Sequence, residues 1–257
     1  MGRTLQRWMR CYVDGIELSG YVLSVNELGI EYPVAVHATL TDQVQGGIFE
    51  TPSIKCGPIN GVFDGDDSGL QVLGSAGDSD TIRNVMIAIG EQDVPAEGNQ
   101  VFMAALKQTS YKAVASGGLL TATLILGSPG PESAILYDQV FGSLLHEKSD
   151  ETAANDQSGI DDNGSSSSAG GFMMYHIFSA AGTGNVTLKV QDASTNSDGS
   201  FGDLASATSG AIADTDLPIS GIVQLGKTAT VKRYLRWQIV LDGITSVNFA
   251  LGFVRGR

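Results

Sequence analysis

Residues 231–241 read Val-Lys-Arg-Tyr-Leu-Arg-Trp-Gln-Ile-Val-Leu, an alternation of apolar and polar side chains with one interruption at Arg233. Successive side chains of a strand point to opposite faces of its sheet, so this period of two predicts a β-strand. Arg233 stands near the start of the run, where a strand end can still reach water. The apolar face carries Val231, Leu235, Trp237, Ile239 and Leu241, and the opposite face carries Lys232, Tyr234, Arg236 and Gln238.

The stretch continues with Asp242-Gly243, a dipeptide typical of the tight turn between two antiparallel strands. A second alternating run follows at residues 247–253, Val-Asn-Phe-Ala-Leu-Gly-Phe. The sequence therefore predicts a long antiparallel hairpin with one apolar face. Such a face is stable only when a second layer covers it.

The rest of the chain reads as short strands separated by turns, with 33 glycines among 257 residues. We predict a mainly β fold: an N-terminal β-sandwich or barrel with one short helix, followed by a C-terminal β-sandwich of the jelly-roll or immunoglobulin-like type. The helix is expected over residues 34–45, where Gly46-Gly47 would end it. Further strands are expected at 70–73, 172–178 and 185–191, and a hairpin is expected around Gly117-Gly118.

A polar stretch at residues 147–171 combines six acids with a serine run, which is typical of a linker. It divides the chain into a domain over residues 1–150, a polar acidic linker over 151–171 and a domain over 172–257. An ordered polar loop that crosses a surface is the alternative interpretation of the same stretch.

The charge of the chain is strongly negative and unevenly distributed. The net charge is −13, with +8 in residues 1–10 and 227–257 together and −21 in residues 11–226. Proteins that wrap nucleic acid rely on Lys and Arg to displace counterions, so this balance disfavours that class. It fits either solubility or a surface that repels phosphate. No apolar stretch approaches the roughly 20 residues of a spanning helix, so no membrane partner is expected.

One motif matches a nucleotide-binding pattern letter for letter: Gly221-Ile-Val-Gln-Leu-Gly226-Lys227-Thr228 fits GxxxxGK[ST]. A phosphate site of this kind needs a helix start directly after the motif, so that backbone amides point at the phosphates. Here the long alternating strand follows instead. We therefore expect a strand–turn–strand connection and no nucleotide.

Residues 64–69, Asp-Gly-Asp-Asp-Ser-Gly, resemble the start of a calcium loop, but Ser75 stands at the twelfth position, where a bidentate Glu is required. Cys11 and Cys56 form no CxxC pair and are expected to be buried or partly buried thiols.

Catalytic motifs are also missing from the sequence. The three histidines, His37, His146 and His176, are scattered, and neither HExxH nor GxSxG occurs. The sequence predicts no catalytic residue, no cofactor and no metal site, and we expect that the protein is not an enzyme.

Several segments resemble a known family. Residues 14–25, 39–46 and 60–64 (Asp-Gly-Ile-Glu-Leu-Ser-Gly-Tyr-Val-Leu-Ser-Val, Thr-Leu-Thr-Asp-Gln-Val-Gln-Gly and Asn-Gly-Val-Phe-Asp) resemble the opening of major tail tube proteins of long-tailed bacteriophages. Residues 188–194, 232–236 and 249–255 resemble the β-rich second half of some of those proteins. The resemblance covers most of the chain, and the second domain is an addition to the minimal fold.

The resemblance implies a β-sandwich subunit of the virion that is assembled in the host cytoplasm. Hexameric rings of such subunits stack into a tube through which double-stranded DNA passes without specific binding. The implied partners are other copies of the chain and tail proteins such as the tape measure and the tail terminator. The alternative function is a capsid or tail decoration protein or a carbohydrate-binding β-sandwich module. Sugar binding is disfavoured because the loops at 192–216 offer one aromatic residue, Phe201.

Two sets of residues are candidates for assembly. Acids in the first half are candidates for lining the lumen or stacking the rings, and the polar face of the 231–241 strand is a candidate subunit contact because Tyr and Arg are enriched in interface cores. The acids are Asp64, Asp66, Asp67, Asp78 and Asp80, and the contact residues are Lys232, Tyr234 and Arg236.

Overall fold

The structure is a computed structural model. It describes residues 6–32, 34–37, 46–49, 53–63, 70–75, 82–91, 93–116, 118–127, 139–154 and 159–257. Strands dominate these residues, which confirms the mainly β prediction. No helix among them is long and apolar enough to cross a membrane.

The described strands and the short helix α1 follow in chain order. The first half contains β1 (Met9–Val13), β2 (Ile16–Glu17), β3 (Val22–Val25), β4 (Leu28–Glu31), β5 (Val34–His37), β6 (Gly46–Phe49), β7 (Ser53–Val62), α1 (Gln71–Ser75), β8 (Ile82–Ile89), β9 (Gln100–Ser116) and β10 (Leu119–Gly127). The second half contains β11 (Phe141–Glu151), β12 (Asp161–Asp162), β13 (Gly171–Ala193), β14 (Gly202–Thr208), β15 (Ile212–Ala213), β16 (Ile219–Gln224) and β17 (Tyr234–Arg255).

Fifteen of these strands join one antiparallel sheet system, whose main path is β14-β13-β17-β11-β9-β10-β7-β3. Strand β11 lies where the two halves meet, because it pairs with β17 through Ser143–Glu151 and with β9 through Phe141–Ser143. Strands β5 and β6 pair only with each other in the described part of the chain. The hairpin expected around Gly117-Gly118 is confirmed as β9–β10.

The hairpin predicted at Asp242-Gly243 is wrong. Strand β17 runs without a break for 22 residues, and its partner is β13, which merges the two strands predicted at 172–178 and 185–191. Asp242 and Gly243 both pair with Asn185, and Gly243 has φ +77°, so the dipeptide forms a bulge that bends the strand. The predicted apolar face of this strand is confirmed, with Leu235, Trp237 and Ile239 buried.

The helix predicted over 34–45 is wrong at its start, because Val34–His37 form β5; residues 38–45 lie outside the described residues. Val34 and Val36 are β-branched and favour an extended backbone. The one α-helix in the described residues is Gln71–Ser75, which overlaps the strand predicted at 70–73.

Three buried clusters form the core. One lies within the first half around Leu18, Ile59 and Phe102, and one lies within the second half around Trp237 and Phe249. The third cluster draws on both halves, and we call it the seam. It contains Tyr12, Met86, Ala88, Val101, Met103, Leu144, Phe172, Met174, Ala250 and Val254.

The stretch predicted as a linker is partly strand and partly an ordered loop. Its first residues, 147–151, belong to β11. Asp161 and Asp162 pair with Leu235 and Tyr234 of β17, and Ser167 pairs with Val231. The described residues 159–171 therefore lie against the second half, as the ordered-loop interpretation expects, and the division into two domains stays a prediction.

Candidate functional site

The distal part of β9, in the β9–β10 hairpin, extends beyond β8. Strand β8 pairs with β9 as far as Lys107, so among the described strands only β10 pairs with Gln108–Ser116. Val114 is 52% exposed and Leu120 is 39% exposed. These two side chains lie on opposite faces of the ribbon, because Val114 is paired with Thr121 and Leu120 with Ala115.

Strand β7 pairs with β10 over Thr121–Gly127, so the edge without a described partner is that of β9. That edge presents backbone N–H and C=O groups to any strand that approaches. Ile82, which is 47% exposed, lies opposite Lys107 at the end of the β8–β9 pairing. This distal ribbon, residues 108–121, is the candidate assembly surface.

Of the predicted subunit-contact residues, Arg236 is buried against other residues of the chain. It is 4% exposed, and its Nε donates to Gln191 Oε1 at 2.9 Å. Its Nη1 donates to Asp198 Oδ1 at 2.6 Å, and its guanidinium lies 4.4 Å from the centre of the Phe201 ring. The strand pattern placed Arg236 on an exposed face, but the loop carrying Asp198 and Phe201 covers that face.

The other two predicted contact residues also have partners within the chain. Lys232 Nζ lies 3.0 Å from Asp192 Oδ1, and Tyr234 lies under the Arg233 guanidinium at 4.7 Å. Lys232 keeps 44% of its side chain exposed. A role for these residues in a subunit contact stays a prediction.

The predicted lumen or stacking acids, Asp64, Asp66, Asp67, Asp78 and Asp80, lie outside the described residues, as does the calcium-like segment 64–69. The two thiols are confirmed as buried: Cys11 and Cys56 both lie in the core of the first half. Burial raises the pKa of the Cys11 thiol to about 12, so it carries no thiolate near neutral pH.

The nucleotide-like motif forms the strand–turn–strand connection that the sequence predicts. Residues up to Gln224 belong to β16, which pairs with β13. The Ala229 amide then donates to the Gly226 carbonyl at 2.8 Å, and Val231 pairs with Ser167. No helix starts in the described residues that follow, so the amides do not form a phosphate cradle here.

Ser149, His146 and Glu151 form a cluster that resembles a catalytic set in composition only. Glu151 Oε1 lies 3.1 Å from His146 Nε2, and Ser149 Oγ lies 3.4 Å from the same nitrogen. A triad uses one ring nitrogen for the nucleophile and the other for the orienting acid. Here Nδ1 faces the Phe249 carbonyl at 3.1 Å, and the ring is 1% exposed, so this cluster lacks triad geometry.

His176, in the second half, forms a hydrogen bond with the first half. The Gly15 amide donates to His176 Nδ1 at 3.0 Å, and burial lowers the pKa of the ring to about 3. The ring is therefore neutral with its proton on Nε2, which is buried and has no partner among the described residues. Neither His146 nor His176 carries a local sequence motif, and no signal in the sequence could have identified them.

Other polar contacts cross between the halves. Trp237 Nε1 donates to Glu97 Oε1 at 3.0 Å, and Asn84 Nδ2 donates to Ser220 Oγ at 3.0 Å. The two halves are therefore joined by directed hydrogen bonds as well as by the apolar seam.

No protein-family model matches the chain, and no curated protein matches it. Among solved structures, the chain is similar to the SPP1 Dit protein (gp 19.1), described as a paradigm of the hub adsorption apparatus in phages that infect Gram-positive bacteria. The identity is 13%, and the match covers 95% of this chain and 98% of that chain, with a TM-score of 0.31. A TM-score this low carries no conclusion about the fold or function of this chain.

Proposed function

We propose that this chain is a structural subunit of a bacteriophage tail that assembles with copies of itself. The finer proposal is a tail tube subunit, whose stacked hexameric rings form a conduit for double-stranded DNA. The observation that carries the proposal is the distal β9–β10 ribbon, which exposes Val114 and Leu120 on both faces and presents an unpaired edge within the described part of the chain.

A neighbouring copy can cover this ribbon by strand addition, in which backbone hydrogen bonds supply affinity and alternate side chains supply specificity. Lys112 is exposed on the same edge strand. A lysine on an edge discourages indiscriminate pairing. It also favours an acidic partner, and this chain has 28 Asp and Glu residues against 15 Lys and Arg. A contact between two different surfaces of identical subunits closes into rings or propagates along a tube.

The net charge of −13 supports the conduit function. A lumen lined by carboxylates repels phosphates and lets DNA pass without binding. The acids at 64–80 remain the candidates for that lining. Tape measure and tail terminator proteins are the proposed further partners, and the proposed location is the virion, after assembly in the host cytoplasm.

The alternative, a carbohydrate-binding module, needs an aromatic face that is open to a sugar ring. Phe201 is the aromatic residue of the loops at 192–216, and the Arg236 guanidinium lies 4.4 Å above its ring. This contact disfavours the alternative.

The test compares the wild-type chain with the double variant Val114→Asp/Leu120→Asp by negative-stain microscopy and sedimentation. We expect rings or tubes from the wild type. The double variant should remain monomeric with an unchanged circular dichroism spectrum, because burying one such side chain contributes roughly 1.5–3 kcal/mol and its loss weakens assembly at least tenfold. The control is Val94→Asp, which changes a residue that is 44% exposed between β8 and β9 and should assemble normally.

A wild-type chain that stays monomeric at every concentration would refute the structural function. Rings that never stack would refute the tube proposal, but they would agree with the coarser proposal of a ring-forming tail protein. Assembly of the double variant at the wild-type concentration would show that the distal ribbon is not the contact.

A further inference from the structure

Two Asn-Gly dipeptides occur in the chain, at Asn60-Gly61 and at Asn163-Gly164. An Asn-Gly unit can modify itself, because glycine has no Cβ to shield its amide nitrogen from the asparagine before it. The nitrogen attacks the side-chain Cγ, ammonia leaves, and a five-membered succinimide ring forms. The asparagine side chain must first lie over the following peptide, so the fold decides which of the two dipeptides can react.

Asn60 is held inside strand β7. Its Nδ2 donates to Ser24 Oγ at 3.0 Å, and its Oδ1 accepts from Thr123 Oγ1 at 2.9 Å, so both ends of the side-chain amide are bound. Strand β7 is also paired on both sides here, because Gly61 lies opposite residues of β3 and of β10. The succinimide ring bends the backbone out of a strand, so β7 must open before Asn60 can react.

Asn163 lies in an exposed turn directly after β12. Its Nδ2 donates to the Ser165 carbonyl at 3.0 Å. This bond spans Gly164, so it holds the Asn163 side-chain amide over the peptide whose nitrogen would attack. Gly164 has φ +75°, and no described atom lies within 4 Å of a Cβ built on it, so the turn is open to water.

We propose that Asn163 is a site of self-modification, at which the chain converts its own asparagine to aspartate or isoaspartate with water as the co-reactant. In the first step a bond forms between Gly164 N and Asn163 Cγ, and the Cγ–Nδ2 bond breaks. The Gly164 amide proton passes to hydroxide, and Nδ2 takes a proton from water and leaves as ammonia. In the second step water adds to one of the two succinimide carbonyls and opens the ring, so a carboxylate forms and no atom is oxidised or reduced. This proposal is independent of the proposed tail function.

Asp162 restrains the reaction without preventing it. The Gly164 amide donates to Asp162 Oδ1 at 2.8 Å, and the Arg233 guanidinium holds the same carboxylate through contacts of 2.6 Å and 2.8 Å. The Gly164 nitrogen must leave this bond before it attacks, so we expect Asn163 to react more slowly in the folded chain than in the unfolded chain. The bond lies at an exposed turn and can open locally, whereas Asn60 requires the separation of paired strands.

The modification would change the contact between residues 159–171 and the second half. The Asn163 amide donates to the Arg233 carbonyl at 3.2 Å, and the adjacent β12 pairs with the first residues of β17. In isoaspartate the main chain runs through the side-chain carbon, which lengthens it by one CH₂ group at this turn. Either product places a third carboxylate directly after Asp161 and Asp162 and makes the net charge one unit more negative.

The test follows both dipeptides in the same molecule. The folded wild-type chain is incubated in mildly alkaline buffer, and peptide mapping by mass spectrometry measures the conversion of each asparagine. We expect Asn163 to convert at least about tenfold faster than Asn60, because β7 must open before Asn60 can react. The matched control is the same incubation in denaturant, where the two asparagines should convert at similar rates because glycine follows each of them.

A second measurement assigns the product to its position. Labelling by an isoaspartate methyltransferase should appear in the wild-type peptide that contains residues 163–164, and it should be missing from that peptide in the variant Asn163→Gln, whose longer side chain closes a ring more slowly. Equal conversion of Asn60 and Asn163 in the folded chain would overturn the proposal, because the fold would then not select the site. An Asn163 that stays intact in the folded chain while the denatured chain converts would overturn it as well.

Discussion

Replacing Gly15 by alanine tests whether the two halves are packed as closely as the structure shows. Gly15 has φ +81°, and a Cβ built on it would lie 2.8 Å from the Ile219 backbone nitrogen and 3.1 Å from its carbonyl carbon and oxygen. Ile219 begins β16 in the second half, so the clash falls on backbone and a side-chain rotation cannot relieve it. The same glycine donates its amide to His176 at 3.0 Å.

The control is Gly210→Ala, because Gly210 has φ +71° but nothing within 4 Å of the added Cβ. Both variants incur the strain of a left-handed backbone, roughly 1–2 kcal/mol for a residue with a Cβ. Gly15→Ala adds an overpacking cost of about 1–3 kcal/mol. If the turn moves away from β16, His176 Nδ1 loses its donor, which costs a similar amount.

We therefore expect Gly15→Ala to lower the free energy of unfolding by about 1–3 kcal/mol more than Gly210→Ala does. Urea denaturation followed by tryptophan fluorescence measures both values, at concentrations where the chain is monomeric. An unchanged m-value shows that the same surface is exposed on unfolding in each variant. Equal losses for the two variants would refute the close contact between the 14–15 turn and β16.

Two further predictions concern ion pairs. Arg83 is 6% exposed and binds Asp14, Gln108 and the Leu73 carbonyl, so Arg83→Met should lower the free energy of unfolding by about 3 kcal/mol in urea denaturation. Breaking the exposed Lys55–Glu31 pair with Lys55→Met should leave that free energy nearly unchanged. Equal losses of stability for the two variants would show that the Arg83 side chain is exposed to solvent. The Arg233 guanidinium holds the pKa of Asp162 at about 2, so its contribution is present above the ordinary pKa and is lost as the pH falls through about 2. In NMR titration, Arg233→Gln should move that pKa up toward 3.8, and an ordinary pKa in the wild type would show that the pair does not form in solution.

Local patterns predicted the class of the fold and several of its elements. The alternation through Leu235, Trp237 and Ile239 gave the buried face of β17, and the glycine pair at 117–118 gave the β9–β10 hairpin. These features depend on residues close in sequence, where a period of two or a turn dipeptide is sufficient evidence.

The errors share a physical cause, which is that the deciding contact lies far away in sequence. Gly243 has the left-handed backbone that a turn would require, but the same backbone also permits a bulge, and only the partner strand decides between them. Strand β13 continues past the position of Asp242 and Gly243, so β17 continues beside it. Arg236 was expected to be exposed on one face of a strand, and it is buried because the loop at 198–201 covers that face.

The buried histidines show the same limit for the candidate sites. His176 meets its donor 161 residues away, and His146 meets the Phe249 carbonyl 103 residues away. No spacing rule applies across such separations, whereas catalytic and metal motifs are recognised by spacing. Sequence reasoning could therefore only describe these residues as scattered.

The position of β11 links these observations. This strand pairs with both halves, contributes Leu144 to the seam and carries both His146 and Glu151. A boundary drawn at residue 150 or 151 therefore falls at the end of a strand whose hydrogen bonds already join the two sides. The division into two domains was predicted from the polar residues at 151–171. The buried contacts between the two halves cross that predicted boundary.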